Sequence, residues 1–403
     1  MLNYVFFRLF GFIISMLPYS AIHALGRFSG KWAYYLHRPF RKKALANLAM
    51  AYGSTKTETE RKNIAIASFQ NVMISLLEFY RLKRSKGRLT EIVTLIKNKE
   101  IFDLLSRKQG VIFFTGHQAN WEIPFLAMND YFPGIAIGRP IKNQYLYKFI
   151  LSVREMNGGK IIIPKQAIRA GIRALKEGKF LGIVGDQAFP NSSYSYPLFG
   201  KRAWTASTPA LLAYRTNCPI VIGITKRVGS HYIVSGSDPI WPNQSIPIKM
   251  DVERMMNEVM RYFEKSLKET PEEWMWIHNR WKQKGIDHVK RIYRYESILV
   301  ILPKHPDLTL VSTLRKIYPH SFLTFYLPKG FMIPNEEIRL YQNEQDLLQR
   351  DWRFQLVLDF YHSSKVRRHF RKLGAFQTLA LPQEKETVIH TLVKLECPIT
   401  AFL

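Results

Sequence analysis

"VIFFTGHQANWEIPFLAM", residues 111–128, decides how the rest of the chain is read. Its first four residues are an unbroken apolar run, the pattern of a buried strand. Gly116 then permits a tight turn, and His117, Asn120, Trp121 and Glu122 follow before an apolar stretch that reads as a helix. In α/β proteins the edge where a strand gives way to a helix is where ligands bind. The stretch therefore predicts a strand over 111–115, a polar loop, and a helix over 123–130.

The same texture continues on both sides. Strands are predicted at 135–138, 161–163, 180–184, 220–225 and 231–235. Helices are predicted at 61–82, 143–157, 165–177, 206–216 and 251–268; in the last, Val252, Met255, Met256, Val259, Phe263 and Leu267 follow the helical period. A second unit begins near residue 294, with a boundary within 285–296. There "SILVILP" (297–303), "FLTFYLP" (322–328) and "FQLVLDF" (354–360) read as strands, and 307–318 and 363–373 as helices. Alternation of that kind predicts a small parallel sheet.

The chain has 403 residues, 47% hydrophobic and 13% aromatic, enough for a sizeable core and two domains. Its formal net charge of +28 calls for an anionic partner: nucleic acid, a membrane face, or an acidic substrate or carrier. Leu9 to Gly26 holds no charged side chain, and Trp32, Tyr34 and Tyr35 follow with a cluster of Lys and Arg. That points to a membrane-associated N-terminal helix, over 1–45, backed by basic residues. Cys218 and Cys397 lie far apart and suggest no disulfide framework.

His117 and Glu122 form the single His-x4-Glu pair of the chain. About one His-x4-acid pair is expected by chance, and such a pair serves structure as readily as chemistry, so the weight rests on the strand–turn–helix context. An imidazole can take a proton from a substrate hydroxyl near neutral pH. A carboxylate on its other nitrogen fixes the tautomer and stabilises the imidazolium; five residues across a turn would let Glu122 play that part. The sequence has no HExxH, P-loop, GxGxxG, GxSxG or DxD pattern. No metal, cofactor or covalent acyl-enzyme is expected, and direct attack of an acceptor hydroxyl on an activated acyl group fits best.

Residues 1–285 also carry seven segments in a recognisable order: "RKKALANLAMAY" (41–52), "TGHQANWE" (115–122), "IGRPIKNQYL" (137–146), "VREMNGGKII" (153–162), "GIVGDQAF" (182–189), "PLFGKRAWTASTPALLAYRTNCPIV" (197–221) and "EEWMWIHNRWK" (272–282). In these the chain resembles the late acyltransferases of lipid A biosynthesis, the lauroyl/myristoyl transferase branch of the lysophospholipid acyltransferase superfamily. The resemblance implies transfer of a fatty acyl chain from acyl carrier protein to a hydroxyl of a Kdo-bearing lipid A precursor, at the cytoplasmic face of the inner membrane. It implies His117 as general base, Glu122 as the residue that orients it, and Arg154 and Asp186 as further catalytic positions. Asn120, Arg139, Lys142 and Gln187 would bind substrate. Arg139 and Lys142 would serve equally in surface ion pairs, and Asp186-Gln187 in capping a helix or ordering a loop. The expected partners are the acyl carrier protein, the lipid acceptor and membrane lipid, with no nucleic acid.

Residues 296–403 depart from that family and faintly resemble the N-terminal half of a lipopolysaccharide heptosyltransferase, with the nucleotide-binding half absent. The expected architecture is therefore a membrane-associated segment (1–45), an α/β acyltransferase domain with a central mixed sheet flanked by helices (46–290), and a small Rossmann-like α/β accessory domain (296–403). Rival readings are acylation of a glycerophospholipid, a non-catalytic basic membrane scaffold, and a glycosyltransferase centred on the tail.

Overall fold

A computed structural model describes residues 2–283 and 295–396, the first seven and last four of these by backbone alone. The expected domain boundary and Cys397 thus fall wholly or mainly outside the described residues; Cys218 is buried and free. In chain order come α1 (Leu2–Met16), α2 (Tyr19–Leu36), α3 (Arg38–Tyr52), α4 (Glu58–Leu82), β1 (Val93–Leu95), α5 (Lys99–Ser106), β2 (Val111–Thr115), α6 (Ile123–Asn129), β3 (Gly134–Ile137), α7 (Gln144–Arg154), β4 (Lys160–Ile162), α8 (Ala167–Lys176) and β5 (Phe180–Val184). A hairpin of β6 (Ser195–Leu198) and β7 (Lys201–Trp204) precedes α9 (Thr208–Thr216), β8 (Ile220–Val228), β9 (His231–Gly236) and α10 (Ile248–Glu269). The tail adds β10 (Ser297–Ile301), α11 (Thr309–Ile317), β11 (Phe322–Pro328), β12 (Glu337–Tyr341), β13 (Leu356–Asp359), α12 (Ser364–Lys372), β14 (Gln377–Ala380) and α13 (Lys385–Glu396).

The chain separates into two compact units. The first, residues 1–36, 63–187 and 205–275, is built on a seven-stranded sheet of order β1-β9-β8-β2-β5-β3-β4. Every neighbouring pair is parallel except β8 with β9, which makes the sheet mixed, as expected. Its central strands β2 and β5 are apolar because helices cover the sheet. The apolar N-terminal stretch is not one helix: Pro18 lacks an amide hydrogen and separates α1 from α2. No helix among the described residues is long and apolar enough to cross a membrane. α2 instead crosses α4 closely at Gly26, where a Cβ would lie 2.8 Å from the Ile74 Cα, and again at Gly30 against Gln70. Large apolar side chains of α1 and α2, among them Phe12, Ile13, Met16, Phe28, Trp32 and Leu36, remain exposed.

The second unit, residues 37–62, 188–204 and 276–403, holds more than the tail. Its five-stranded sheet is wholly parallel, in order β12-β11-β10-β13-β14. That is the winding of a Rossmann half-domain, with the first strand central and the chain reversing direction after the third. Alternate strand residues feed two cores on opposite faces, Ile298, Val300, Phe325 and Leu358 in one and Leu299, Ile301, Tyr326 and Val357 in the other. Asn47 of α3 donates to the carbonyls of Trp276 and His278 (2.8 and 2.6 Å), and buried Arg280 donates to that of Trp204 (2.9 Å). Lys42 reaches the carbonyl of Arg371 at 3.0 Å and also that of Ala375.

Candidate active site

β2 and β5 are parallel neighbours in register, with Thr115 opposite Val184. Carrying that register two residues past the strand ends sets His117 opposite Asp186. The two glycines between are required by space: a Cβ on Gly116 would strike the Phe263 ring, and one on Gly185 the Phe114 ring. The backbone N–H of Gly185 donates to the Thr115 carbonyl at 3.0 Å and keeps the two ends together.

Asp186 is the carboxylate that holds His117. Its Oδ1 lies 2.7 Å from His117 Nδ1, and its Oδ2 accepts from the His117 backbone N–H at 2.8 Å and from Trp274 Nε1 at 2.7 Å. The residue is 2% exposed. Burial pushes this carboxyl up, but the His117 charge and the hydrogen bonds from His117 and Trp274 outweigh it and hold it well below the usual carboxylate range. For His117 burial pulls downward, and Asp186, by charge and hydrogen bond, with Glu122 adding to it, raises the imidazole above its ordinary value. With Nδ1 engaged, Nε2 is left as the atom that can accept a proton. Trp121 packs at a tilt against the imidazole, ring centroids 5.1 Å apart.

Glu122 does not orient His117 as the spacing suggested. Both of its oxygens are taken by Arg154, whose Nε and Nη2 donate at 2.8 and 2.6 Å in a bidentate pair. The reason lies in the loop between. Gln118 bridges to Trp274, Ala119 donates to the Glu273 carbonyl at 2.9 Å, and Ala119 turns through a positive φ of 45°. Ser75 and Asn71 of α4 donate to the Ala119 carbonyl at 2.7 and 3.2 Å and support that turn. The loop so fixed delivers Glu122 to the start of α6, facing the last residue of α7. Arg154, burial notwithstanding, is held charged by Glu122.

Of the other sequence candidates, Asn120 is fully buried. Its amide donates to Glu78 at 2.9 Å and its oxygen accepts from the Glu122 N–H. Glu78, also wholly buried, is shared with His23 and Tyr232, so Asn120 belongs to a polar network behind the loop. Arg139 and Lys142 stand exposed on the loop between β3 and α7, and Gln187 is exposed beside Asp186. Among the described residues no group of three or more His, Cys, Asp or Glu could hold a metal ion.

Sequence reading missed the cavity beside the pair. It is open to solvent on one side, and its lining is almost wholly apolar. Phe113, Thr115, Gly182, Val184, Gly223 and Gly236 form its sheet wall, and Phe125 and Met128 of α6 with Ile101 and Phe102 of α5 its helical wall. Phe113 and Thr115 face the cavity from alternate positions of β2, and Trp121, whose ring packs against the His117 imidazole, also lines it. The cavity therefore lies along the Phe113 and Thr115 side of β2, with Trp121 between it and His117. Glycines inside strands were its signal in the sequence, since they mark close approach of a ligand or another backbone.

Set against known proteins, residues 1–283 match the family described as bacterial lipid A biosynthesis acyltransferase. Over 278 residues, 67% of this chain and 88% of the relative, the chain is 25% identical to the lipid A biosynthesis lauroyltransferase of Escherichia coli K12. It is 24% identical over the same shares to that strain's lipid A biosynthesis palmitoleoyltransferase and to a lipid A biosynthesis acyltransferase of Shigella flexneri.

Proposed function

The chain belongs to the bacterial lipid A biosynthesis acyltransferase family, and we propose that it transfers a fatty acyl chain from acyl carrier protein to a hydroxyl of a Kdo-bearing lipid A precursor, with His117 as general base. The observation that carries this reading is the Asp186-bound imidazole packed against Trp121, a residue that lines an apolar cavity. The fatty acyl chain lies in the cavity with its thioester carbonyl near His117. His117 Nε2 takes the proton as the acceptor oxygen attacks the carbonyl carbon. Collapse of the tetrahedral intermediate breaks the carbon–sulfur bond, and the thiolate leaves with the proton that His117 returns. Asp186 keeps Nδ1 protonated and stabilises the imidazolium between these steps. No covalent acyl-enzyme is formed. The Glu122–Arg154 pair shapes the opposite side of the loop and offers a fixed cation to the acceptor's anionic groups.

The net charge of +28 suits acyl carrier protein, which is acidic, and an acceptor bearing phosphates and carboxylates. The exposed apolar side chains of α1 and α2, with Arg27 and Lys31 among them, suit helices lying in the interface of the inner membrane, at its cytoplasmic face. Mass spectrometry of lipid A tests the reading, in cells lacking their own late acyltransferase and expressing this chain. Lipid A gains one acyl chain with the intact protein and none with His117→Ala. An unchanged lipid A pattern with the intact, folded protein would refute it.

A further inference from the structure

The basic run at the end of α4, "RLKRSKGR" (81–88), takes no part in the site above. Part of it opens on a second cavity in the same unit, lined by Phe12, Ser15, Tyr80, Lys83, Arg84 and Phe149. We propose that this cavity, between α1, the end of α4 and α7, binds the anionic headgroup of a membrane lipid, a phosphate or carboxylate carried on an amphiphile, with Lys83 and Arg84 as its cationic partners.

Three observations support it. First, among the described residues neither cation is paired with a carboxylate. Lys83 Nζ donates to Ser152 Oγ at 3.2 Å, and the Arg84 guanidinium stands over the Phe12 ring, 5.5 Å from its centroid. Two uncompensated cations on one cavity make a site for an anion, and an arginine held on an aromatic face keeps its N–H edge for a bidentate acceptor. Second, the walls are amphipathic. Tyr80 and Phe149 stack at 5.8 Å, and α1 continues from the cavity into exposed Leu9, Ile13 and Met16. A free inorganic anion has no use for that face, whereas a lipid places its head on the cations and its chains beside α1. Third, α7 joins this cavity to the catalytic loop. Phe149 lines it, Ser152 of the same helix holds Lys83, and Arg154 emerges about 200° further round the helix than Ser152. A headgroup bound there steadies the helix whose last residue holds Glu122.

The inference rests on the reading that the substrate is a membrane lipid, but its test needs no turnover. Lys83→Gln/Arg84→Gln is compared with Lys86→Gln/Arg88→Gln, an equal charge change on exposed neighbours outside the cavity. Flotation is measured with phosphatidylcholine vesicles, with and without phosphatidylglycerol. Loss of surface charge weakens both pairs alike. The cavity pair is expected to lose about 10-fold more affinity for the anionic vesicles than the control pair, from its missing charge-assisted hydrogen bonds. Binding to neutral vesicles should not separate them. An equal loss for both pairs, or no loss for the cavity pair, overturns the proposal. Transfer kinetics then name the lipid. A raised acceptor KM with unchanged kcat assigns the head to the acceptor, and an unchanged KM with lost flotation assigns it to a bilayer lipid. Failure of the flotation arm alone leaves the role of His117 standing.

Discussion

Two aspartates close central strands of the two sheets, and they do opposite things. Asp186 follows β5 and faces a histidine beside a cavity; Asp359 ends β13 and faces Arg367 within a filled core. Both are buried. His117 and Trp274 hold the Asp186 carboxyl well below its usual range despite its burial. At Asp359 burial prevails, even against the Arg367 ion pair, and the carboxyl is raised. The face beside Asp186 is hollowed by Gly182, Gly223 and Gly236, whereas the strands around Asp359 present Leu, Ile, Val, Tyr and Phe to both cores. A buried strand-end carboxylate thus becomes a candidate for chemistry only when its partner can change protonation and has room for a reactant beside it. An arginine partner keeps its proton at any working pH, and its pair is structural.

The largest effect that sharpens this contrast belongs to His117. His117→Ala is expected to lower acyl transfer by about 10²–10⁴-fold, the contribution of a positioned base, in a protein that remains folded. Asp359→Asn should do the reverse. Transfer by the folded protein stays within about twofold, while stability falls by about 1–3 kcal/mol, the cost of leaving a buried polar group with a poorer partner. Denaturant unfolding alongside the transfer assay checks both, and a transfer loss in Asp359→Asn matching that of His117→Ala would break the comparison.

A smaller change tests the hollow face. The Cβ of a residue at 182 would meet Ala136 and Phe125 at 3.5 Å, ordinary contact, so the backbone tolerates a side chain that enters the cavity. Gly182→Val should therefore shift preference toward shorter acyl donors by about 10-fold, the discrimination available from one or two methylenes in an apolar pocket. Competition between donors of different length reads this directly, and an unaltered preference would separate the cavity from acyl binding.

Much of this was legible in the sequence because it was local. Strands 111–115 and 180–184 were read with the boundaries they have, from unbroken apolar runs. The apolar period likewise marked α4 and α10 to within three residues. β12, "EIRLY", and β14, "QTLA", were missed; as edge strands they are short and partly polar, so no apolar run marks them. The β6–β7 hairpin was missed because only four residues stand on each side of its turn. At the site the sequence supplied the right residue types and the wrong pairing. Glu122 is five residues from His117 and Asp186 is 69, yet strand adjacency brings the distant carboxylate to the imidazole while the Ala119 turn hands the near one to Arg154. The matching "TGH" and "VGD" at the ends of two apolar runs were the clue, since parallel neighbours set their C-terminal ends side by side. The cavity lay in glycines, which carry no hydrophobic signal.

The most direct test of the Asp186–His117 pairing is the pH dependence of acyl transfer in the intact protein and in Asp186→Asn. Only neutral His117 can accept the acceptor's proton, so activity falls on the acid side as the imidazole protonates. Asp186 raises that imidazole above its ordinary value of about 6.5, so the acid limb of the intact protein lies above it. With asparagine in its place the raising charge is gone and burial, which pulls the imidazole down, remains. The account predicts that the limb moves to lower pH in Asp186→Asn while the plateau rate falls. A limb that stays where it was, or moves to higher pH, in a folded variant would contradict it.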